Sequence, residues 1–238
     1  MKLKYLIIAI VALTSCHSPK QNIVTTSDIS SSRLHKEEAR DIKKTLENGD
    51  LLFNIHLSGT EFGDAIVQAT KGNAENASIS HVAIVLKDAT SLSVLEATGK
   101  YGVRICPIDT LLTNSDHSST GQPLVLIGRL KDRSTINLSI ARAKTYLGRP
   151  YDWLFSDTEE AIYCSELVHL SYLDSQGNHI FPQQPMSFHD STGAILPYWI
   201  DYYKQKGLEV PEGAPGTNPS GISKSDKIII INTIDTQH

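Results

Sequence analysis

The 238-residue sequence has little of what metal sites and nucleic-acid interfaces require. It contains three cysteines, with no CxxC pair and no Cys/His pattern at ligand spacing, so we do not expect a structural zinc site. Lys and Arg number 22 against 26 Asp and Glu, which gives a formal net charge of −4, and no run rich in Lys or Arg occurs. Because nucleic-acid-binding proteins cluster positive charge, a nucleic-acid partner is not expected.

A long hydrophobic run is also missing, since a membrane-spanning helix needs about 20 apolar residues. The run from Tyr5 to Leu13 is much shorter. It follows two lysines and precedes small residues, an order typical of an export signal. We therefore predict a cleaved signal peptide over residues 1–15.

The residues Leu13-Thr14-Ser15-Cys16 resemble the lipobox of bacterial lipoproteins, which implies that Cys16 is lipidated and becomes the first mature residue. Acyl chains anchor a protein because each buried methylene contributes about 0.8 kcal/mol. Residues 16–32 are polar and Ser/Thr-rich, which predicts a flexible tether. This interpretation places the protein in the cell envelope, attached to a membrane and facing outside the cytoplasm. The alternative is an ordinary signal peptide with an incidental cysteine.

Residues 33–238 form about 200 positions, enough for one domain with a sizeable core. Apolar spacing predicts helices before Gly49, from Thr60 to Gly72, from Ser134 to Leu147 and from near Glu160. Strands are predicted for the segments GDLLFNI, SHVAIVLKD, SLSVLEATG, YGVRICPI, PLVLIGRL and KIIIINTI. The stretch VPEGAPGTNPSGISKSD is typical of an exposed loop. This order of elements predicts an α+β domain with an antiparallel meander.

Three chemically competent residues stand out in this arrangement. His81 opens one strand, Glu96 lies near the end of the next, and Cys164 lies where a helix is expected to begin. If the two strands are antiparallel neighbours, the histidine and the carboxylate can lie side by side. A helix N-terminus favours a thiolate over a thiol and offers backbone N–H groups to an oxyanion. The pattern therefore predicts a thiol nucleophile with an imidazole base oriented by a carboxylate.

The sequence also resembles the YiiX/YebB-like branch of the NlpC-type papain-fold cysteine hydrolases. The resemblance covers about Gly49 to Leu170 and depends on the joint order of NGDLLF, AIVQATKG, SHVAIVL, VLEATGKYGV, GRPYDWLF and YCSELV. It implies a permuted papain-like fold, because the histidine precedes the cysteine, with an antiparallel sheet or small barrel packed against helices. It also implies the roles of Cys164, His81 and Glu96 as catalytic residues, and it places Tyr151 in the substrate cleft. No metal or organic cofactor is implied.

Several residues have plainer interpretations. Cys106 is expected to be a small buried residue, although an exported protein could instead pair it with Cys164 in a disulfide. Asp50 is expected to cap the turn into the first strand, and Glu166 suits a helix N-terminus. The remaining histidines have no metal-ligand spacing; they include His56, His117, His169, His179 and His189. His169, on the helix of Cys164, is expected to point away from the site.

Together these features predict a membrane-anchored cysteine hydrolase that cleaves an amide bond, with a cell-wall-type peptide as the first expectation for substrate. An ester hydrolase or acyltransferase acting on lipid is the alternative, because related permuted enzymes act on lipids. A binding lipoprotein that captures a peptide or amine without turnover also remains open, as fold alone does not decide function. The oligomeric state is not predicted.

Overall fold

The computed structural model describes residues 42–57, 59–70, 78–156 and 158–232. The predicted signal peptide, Cys16, the tether and most of the first predicted helix lie outside these residues. The strands are β1 (Leu51–Ile55), β2 (Ile79–Lys87), β3 (Leu92–Thr98), β4 (Gly102–Pro107), β5 (Val125–Leu130), β6 (Gln184–Pro185), β7 (Pro215–Gly216) and β8 (Ile228–Ile230). The helices are α1 (Glu61–Thr70), α2 (Ile108–Asn114), α3 (Ile136–Thr145), α4 (Cys164–Ser171), α5 (Pro197–Lys204) and α6 (Pro219–Ser223).

Six strands form one antiparallel sheet in the order β4-β3-β2-β1-β5-β8. The consecutive strands β2, β3 and β4 are the predicted meander. The outer strands β4 and β8 do not pair with each other in the described part of the chain, so this sheet is open and the small-barrel alternative is wrong. Strands β6 and β7 form a separate two-stranded ribbon. The predicted α+β class and antiparallel sheet are confirmed.

Alternating side chains give the sheet two buried faces. One face carries residues such as Phe53, Ile84 and Leu95, which pack against Leu167 and Val168 of α4. The other face carries residues such as Ala83 and Val94 and packs against α2. The sheet therefore fixes the position of α4, whose first residue is Cys164. Within the described residues, no helix is both long and apolar enough to cross a bilayer.

The helix predicted from near Glu160 begins four residues later, at Cys164. Tyr163 is extended, with φ −95° and ψ 168°, and its backbone N–H donates to Glu166 Oε2 at 3.2 Å. This contact caps the first turn of α4. The predicted start was four residues too early because apolar spacing alone does not reveal such a cap. Thr60 accepts a hydrogen bond from the Gly63 N–H at 3.1 Å, in agreement with the predicted start of α1 at this residue.

The segment predicted as an exposed loop contains β7 and α6, so that prediction is wrong. Asn218 caps α6 by accepting from the Gly221 N–H at 2.7 Å, and Pro219 occupies the first helical turn. An Asn followed by Pro is a helix-start signal as well as a turn signal. Ile222 is buried in the core. Helices α2 and α5 were not predicted, because their apolar residues follow strand-like or Pro-rich segments.

Asp50 is fully buried at the start of β1. Its Oδ2 accepts from the Glu47 N–H at 2.8 Å, which confirms the predicted turn cap. Arg129 donates to both of its carboxylate oxygens, at 2.8 and 2.7 Å, and Arg133 approaches at 3.3 Å. This ion-pair cluster connects the turn before β1 with strand β5 and with the turn before α3.

We expect Asp50→Ala to lower the free energy of unfolding by about 3 kcal/mol, because it removes the buried carboxylate and leaves the partly buried guanidinium groups of Arg129 and Arg133 only the half-exposed Glu47 as a carboxylate partner. Asp109→Ala, which removes the exposed partner of Lys43, should cost less than about 1 kcal/mol. Urea unfolding followed by circular dichroism measures both. Equal losses in the two variants would contradict the assigned role of the Asp50 cluster.

Candidate active site

Cys164 is the first residue of α4 and is buried, with 6% of its surface exposed. The first N–H groups of a helix have no partner inside the helix, and they carry the positive end of the helix dipole. The free N–H groups and the dipole both favour negative charge on the thiol and on an oxygen bound beside it. Sequence analysis placed this cysteine at a helix N-terminus, and the structure does so.

His81 and Glu96 lie together on neighbouring strands. The His81 Nε2–H donates to Glu96 Oε2 at 2.9 Å. Because Nε2 faces the carboxylate, Nδ1 is the ring nitrogen left for the hydrogen bond between His81 and Cys164. The structure thus brings the three sequence-predicted residues into one chain of contacts, from Cys164 through the imidazole to Glu96.

The charge state of the imidazole depends on both neighbours. Desolvation of the ring favours its neutral form, but hydrogen bonds with Cys164 and Glu96 and the attraction of their charges outweigh it and raise the pKa of His81 to about 10. At neutral pH the ring is therefore a cation. This is the state needed to protonate a leaving group.

Glu96 stays ionised although only 5% of its side chain is exposed. Its desolvation would raise its pKa, but His81 and then Arg104 counter this and hold the pKa at about 2. Arg104 lies directly opposite Glu96 across the β3–β4 pair and donates to Oε1 from Nε at 3.0 Å and from a terminal nitrogen at 2.7 Å. Sequence analysis did not identify Arg104 as part of the site. The only indication in the sequence was a cationic residue on a strand expected to lie beside the strand of Glu96.

Cys106 lies on the far side of the same carboxylate, where its Sγ donates to Glu96 Oε1 at 3.5 Å. Burial, and then the charge of Glu96, raises the pKa of Cys106 to about 11. It is therefore a neutral thiol at physiological pH. Cys106 and Cys164 are both free in the structure, so the alternative disulfide is not formed, and Cys106 is buried as predicted.

Two cavities flank this group. The Cys164 cavity is lined by residues that include Cys164, Ser165, Phe155, Tyr163, Met186, Phe188 and Trp199. The His81 cavity is lined by residues that include His81, His56, Phe62, Thr98 and Trp153. Ile66, Ser80 and Tyr151 contribute to both. Tyr151, which the resemblance places in the substrate cleft, thus lies beside both Cys164 and His81, and its burial together with nearby Cys164 raises its pKa well above the ordinary value.

Much of the Cys164 cavity is built by the C-terminal third of the chain. Residues 184–188 and Trp199 form one wall. Residues 216–219, from the segment predicted as a loop, form another part. Neither contribution was assigned to particular residues from sequence, because both depend on the long-range packing that brings the β6–β7 ribbon to the cavity of Cys164.

The other histidines serve different contacts. His169 points away from the site, as predicted: its Nδ1 pairs with the Phe181 carbonyl at 2.7 Å and its ring stacks on His179 at 3.9 Å. His56 Nε2 donates to Asp64 Oδ1 at 2.8 Å. In the described ranges, no group of three or more His, Cys, Asp or Glu side chains is arranged to hold a metal ion.

We expect the imidazole of His81 to remain protonated through neutral pH and to titrate near pH 10 in the wild-type protein. Cys164→Ser removes a negative partner, so the pKa of His81 should fall by at least about one unit. Cys106→Ser is the matched control, because the Cys106 thiol is neutral and the titration should not move. NMR titration of the ring, assigned with His81→Gln, measures this; equal shifts in both serine variants would contradict the Cys164–His81 coupling.

Comparisons with known proteins show which proteins this chain is similar to. Residues 45–231 match the family described as permuted papain-like amidase enzymes, YaeF/YiiX, C92 family. The uncharacterized protein YiiX of Escherichia coli K12 is 30% identical over 146 residues, which cover 60% of this chain and 66% of that protein.

A crystal structure titled as the metalloprotein YiiX from Escherichia coli O157:H7 has a similar fold, with a TM-score of 0.63 and 22% sequence identity. The similarity covers 79% of this chain and 97% of that one. This similarity concerns the fold. The family match over residues 45–231 identifies the chain as a member of the YaeF/YiiX family of permuted papain-like amidases.

Proposed function

We propose that this amidase is a cysteine hydrolase in which Cys164 is the nucleophile, His81 the acid and base, and Glu96 the residue that orients His81. The observation that carries the proposal is the position of one imidazole between a thiol at a helix N-terminus and an ionised, buried carboxylate. The raised pKa of His81 supports an imidazolium that is ready to give its proton to the leaving amine.

In the proposed reaction, the Cys164 thiolate attacks the amide carbonyl carbon and forms a C–S bond, and the carbonyl oxygen gains the negative charge. The backbone N–H of Cys164 contributes to stabilising that oxyanion. His81 then gives its proton to the amide nitrogen as the C–N bond breaks, which releases an amine and leaves a thioester on Cys164. Water, deprotonated by His81, hydrolyses the thioester to a carboxylic acid and restores the thiolate.

Arg104 acts in this proposal as a positioning residue. Its two hydrogen bonds occupy Oε1 of Glu96, so Oε2 is the oxygen left to hold the imidazole. The guanidinium also favours the ionised carboxylate. Glu96 can then fix the ring without taking its proton.

For the substrate we propose an amide in a peptide of the cell envelope, outside the cytoplasm. This location depends on the export signal and lipobox predicted for residues 1–16, which also predict attachment of the protein to a membrane. The family's amidase description supports amide chemistry. No step is assigned to a metal or an organic cofactor.

An ester hydrolase or acyltransferase acting on lipid is a second candidate. It is favoured by the apolar lining of the Cys164 cavity, where Phe155, Met186 and Trp199 lie beside the nucleophile. A thioester intermediate serves both chemistries, so the leaving group and the acceptor decide between them.

We expect Cys164→Ala to abolish hydrolysis of 4-phenylbutanoyl-4-nitroanilide and of the matching 4-nitrophenyl ester, because no acyl-enzyme can form. His81→Gln should lower kcat by about 10³-fold or more. Cys106→Ala is the matched control and should keep most of the activity. The measurements are nitroaniline and nitrophenol release by the full-length protein in detergent, with intact-protein mass spectrometry to detect the acyl adduct.

Activity that survives in Cys164→Ala, or an adduct on Cys106 alone, would overturn the proposed nucleophile. Binding of these compounds without any adduct in the wild type would favour the non-catalytic alternative. Release of new amino groups from bacterial cell-wall muropeptides would support the peptide substrate. Cleavage of phospholipid vesicles without action on muropeptides would support the second candidate instead.

A further inference from the structure

We propose that Tyr101, in the turn between β3 and β4, is a positioning residue for the proposed reaction, because its ring holds the Arg104 guanidinium against the Glu96 carboxylate. This inference rests on the proposed function. It extends the chain of contacts that begins at Cys164 from the buried carboxylate to the surface of the protein. Tyr101 acts only through Arg104 and Glu96 and is not a catalytic residue.

The contact between Tyr101 and Arg104 is a cation–π interaction. The Cζ atom of Arg104 lies over the Tyr101 ring, 4.0 Å from its centroid. The face of an aromatic ring carries partial negative charge and therefore attracts a guanidinium group at this distance. Arg104 also donates two hydrogen bonds to Oε1 of Glu96. Its charged group thus has two partners, an aromatic ring and a carboxylate.

Arg104 needs such a contact because it is the more exposed member of its ion pair with Glu96. The Arg104 side chain is 24% exposed, whereas that of Glu96 is 5% exposed. An arginine side chain has many rotamers, and ordering them opposes any single bonded geometry. If the guanidinium turned toward solvent, Oε1 would lose both hydrogen bonds and the carboxylate would be free to rotate away from the His81 ring. A ring over the guanidinium favours the bonded rotamer.

The turn that carries Tyr101 is held in place by a glycine on each side. Gly99 packs against an indole, where an added Cβ would lie 2.4 Å from Trp153 Cζ2. Gly102 has a φ of +64°, which favours glycine, and a Cβ there would lie 2.2 Å from the carbonyl oxygen of Arg149. The turn therefore fits closely against the segment that follows α3. This fit gives the Tyr101 ring a defined position although the side chain is at the surface.

Core packing does not account for Tyr101, since 53% of its surface is exposed. Removing an exposed ring has little effect on the free energy of unfolding. Substitution of Tyr101 should therefore leave the fold intact, and thermal unfolding followed by circular dichroism checks this for each variant. A change in the site can then be assigned to the lost contact with Arg104.

The first test measures the hold on Arg104 directly. The Nε–H of Arg104, which donates to Glu96, has its own NMR signal, assigned by its absence from Arg104→Gln. Its exchange with solvent reports how often the guanidinium leaves the carboxylate. We expect Tyr101→Ala to raise the exchange rate about 2- to 5-fold, whereas Tyr101→Phe should keep it because the phenylalanine ring preserves the contact. Ile105→Ala is the matched control, since Ile105 is also exposed but lies on the opposite face of β4.

The second test asks whether Tyr101 affects catalysis through Arg104. We expect Tyr101→Ala to lower kcat for 4-phenylbutanoyl-4-nitroanilide about 2- to 5-fold, while KM changes by less than about 2-fold. Tyr101→Phe and Ile105→Ala should keep kcat. In the Arg104→Gln background, Tyr101→Ala should cause no further loss, because the residue that it positions is gone. An independent structural contribution would lower kcat by the same factor in both backgrounds.

An unchanged kcat in Tyr101→Ala, with a normal acyl adduct on Cys164, would overturn the role of Tyr101 and leave the proposed function intact. Equal losses of kcat with and without Arg104 would also overturn it. If Arg104→Gln does not fold, the Nε–H exchange rates of the Tyr101 variants decide, and equal rates in Tyr101→Ala and wild type would overturn the role. Absence of any adduct in the wild type would instead overturn the proposed function itself.

Discussion

The buried carboxylate of Glu96 is the interaction on which the site depends. It accepts hydrogen bonds from His81 on β2 and from Arg104 and Cys106 on β4, the two strands that flank its own. An isolated charge with so little exposure would be neutralised, so its two cationic partners are required to keep it ionised. The same requirement fixes the imidazole in place, because moving the ring would leave a buried charge partly unpaired.

The second constraint is the start of α4. Glu166 caps the turn at Tyr163, and Leu167 and Val168 pack the helix onto the sheet. Cys164 is thereby held where strand β2 brings His81. The helix supplies the electrostatic environment of the thiol and the sheet supplies its base, so neither element alone contains the site. Packing between them also leaves space on both sides of the reacting pair.

Several features were predictable because they depend on local pattern. The strands from β1 to β5 have the alternation and turn residues that define them in sequence, and antiparallel pairing of β2 with β3 follows from their short connection. Because this pairing could be expected, the sequence pointed to His81 and Glu96 as neighbours and to Cys164 as their partner. Arg104 was missed because its role depends on the register of β4 against β3. The signal peptide, lipidation at Cys16 and the relation to NlpC-type enzymes remain predictions.

The sequence by itself determined the α+β class, the meander and the choice of Cys164, His81 and Glu96 as candidate catalytic residues. These follow from periodicity, short loops and the chemical type of the side chains. Only the tertiary structure decided the shape of the cleft. The walls of the Cys164 cavity come from residues 184–188, 199 and 216–219, which lie far along the chain from His81. Their approach is governed by long-range packing of aromatic side chains and by a two-residue ribbon, and neither leaves a periodic signal in the sequence.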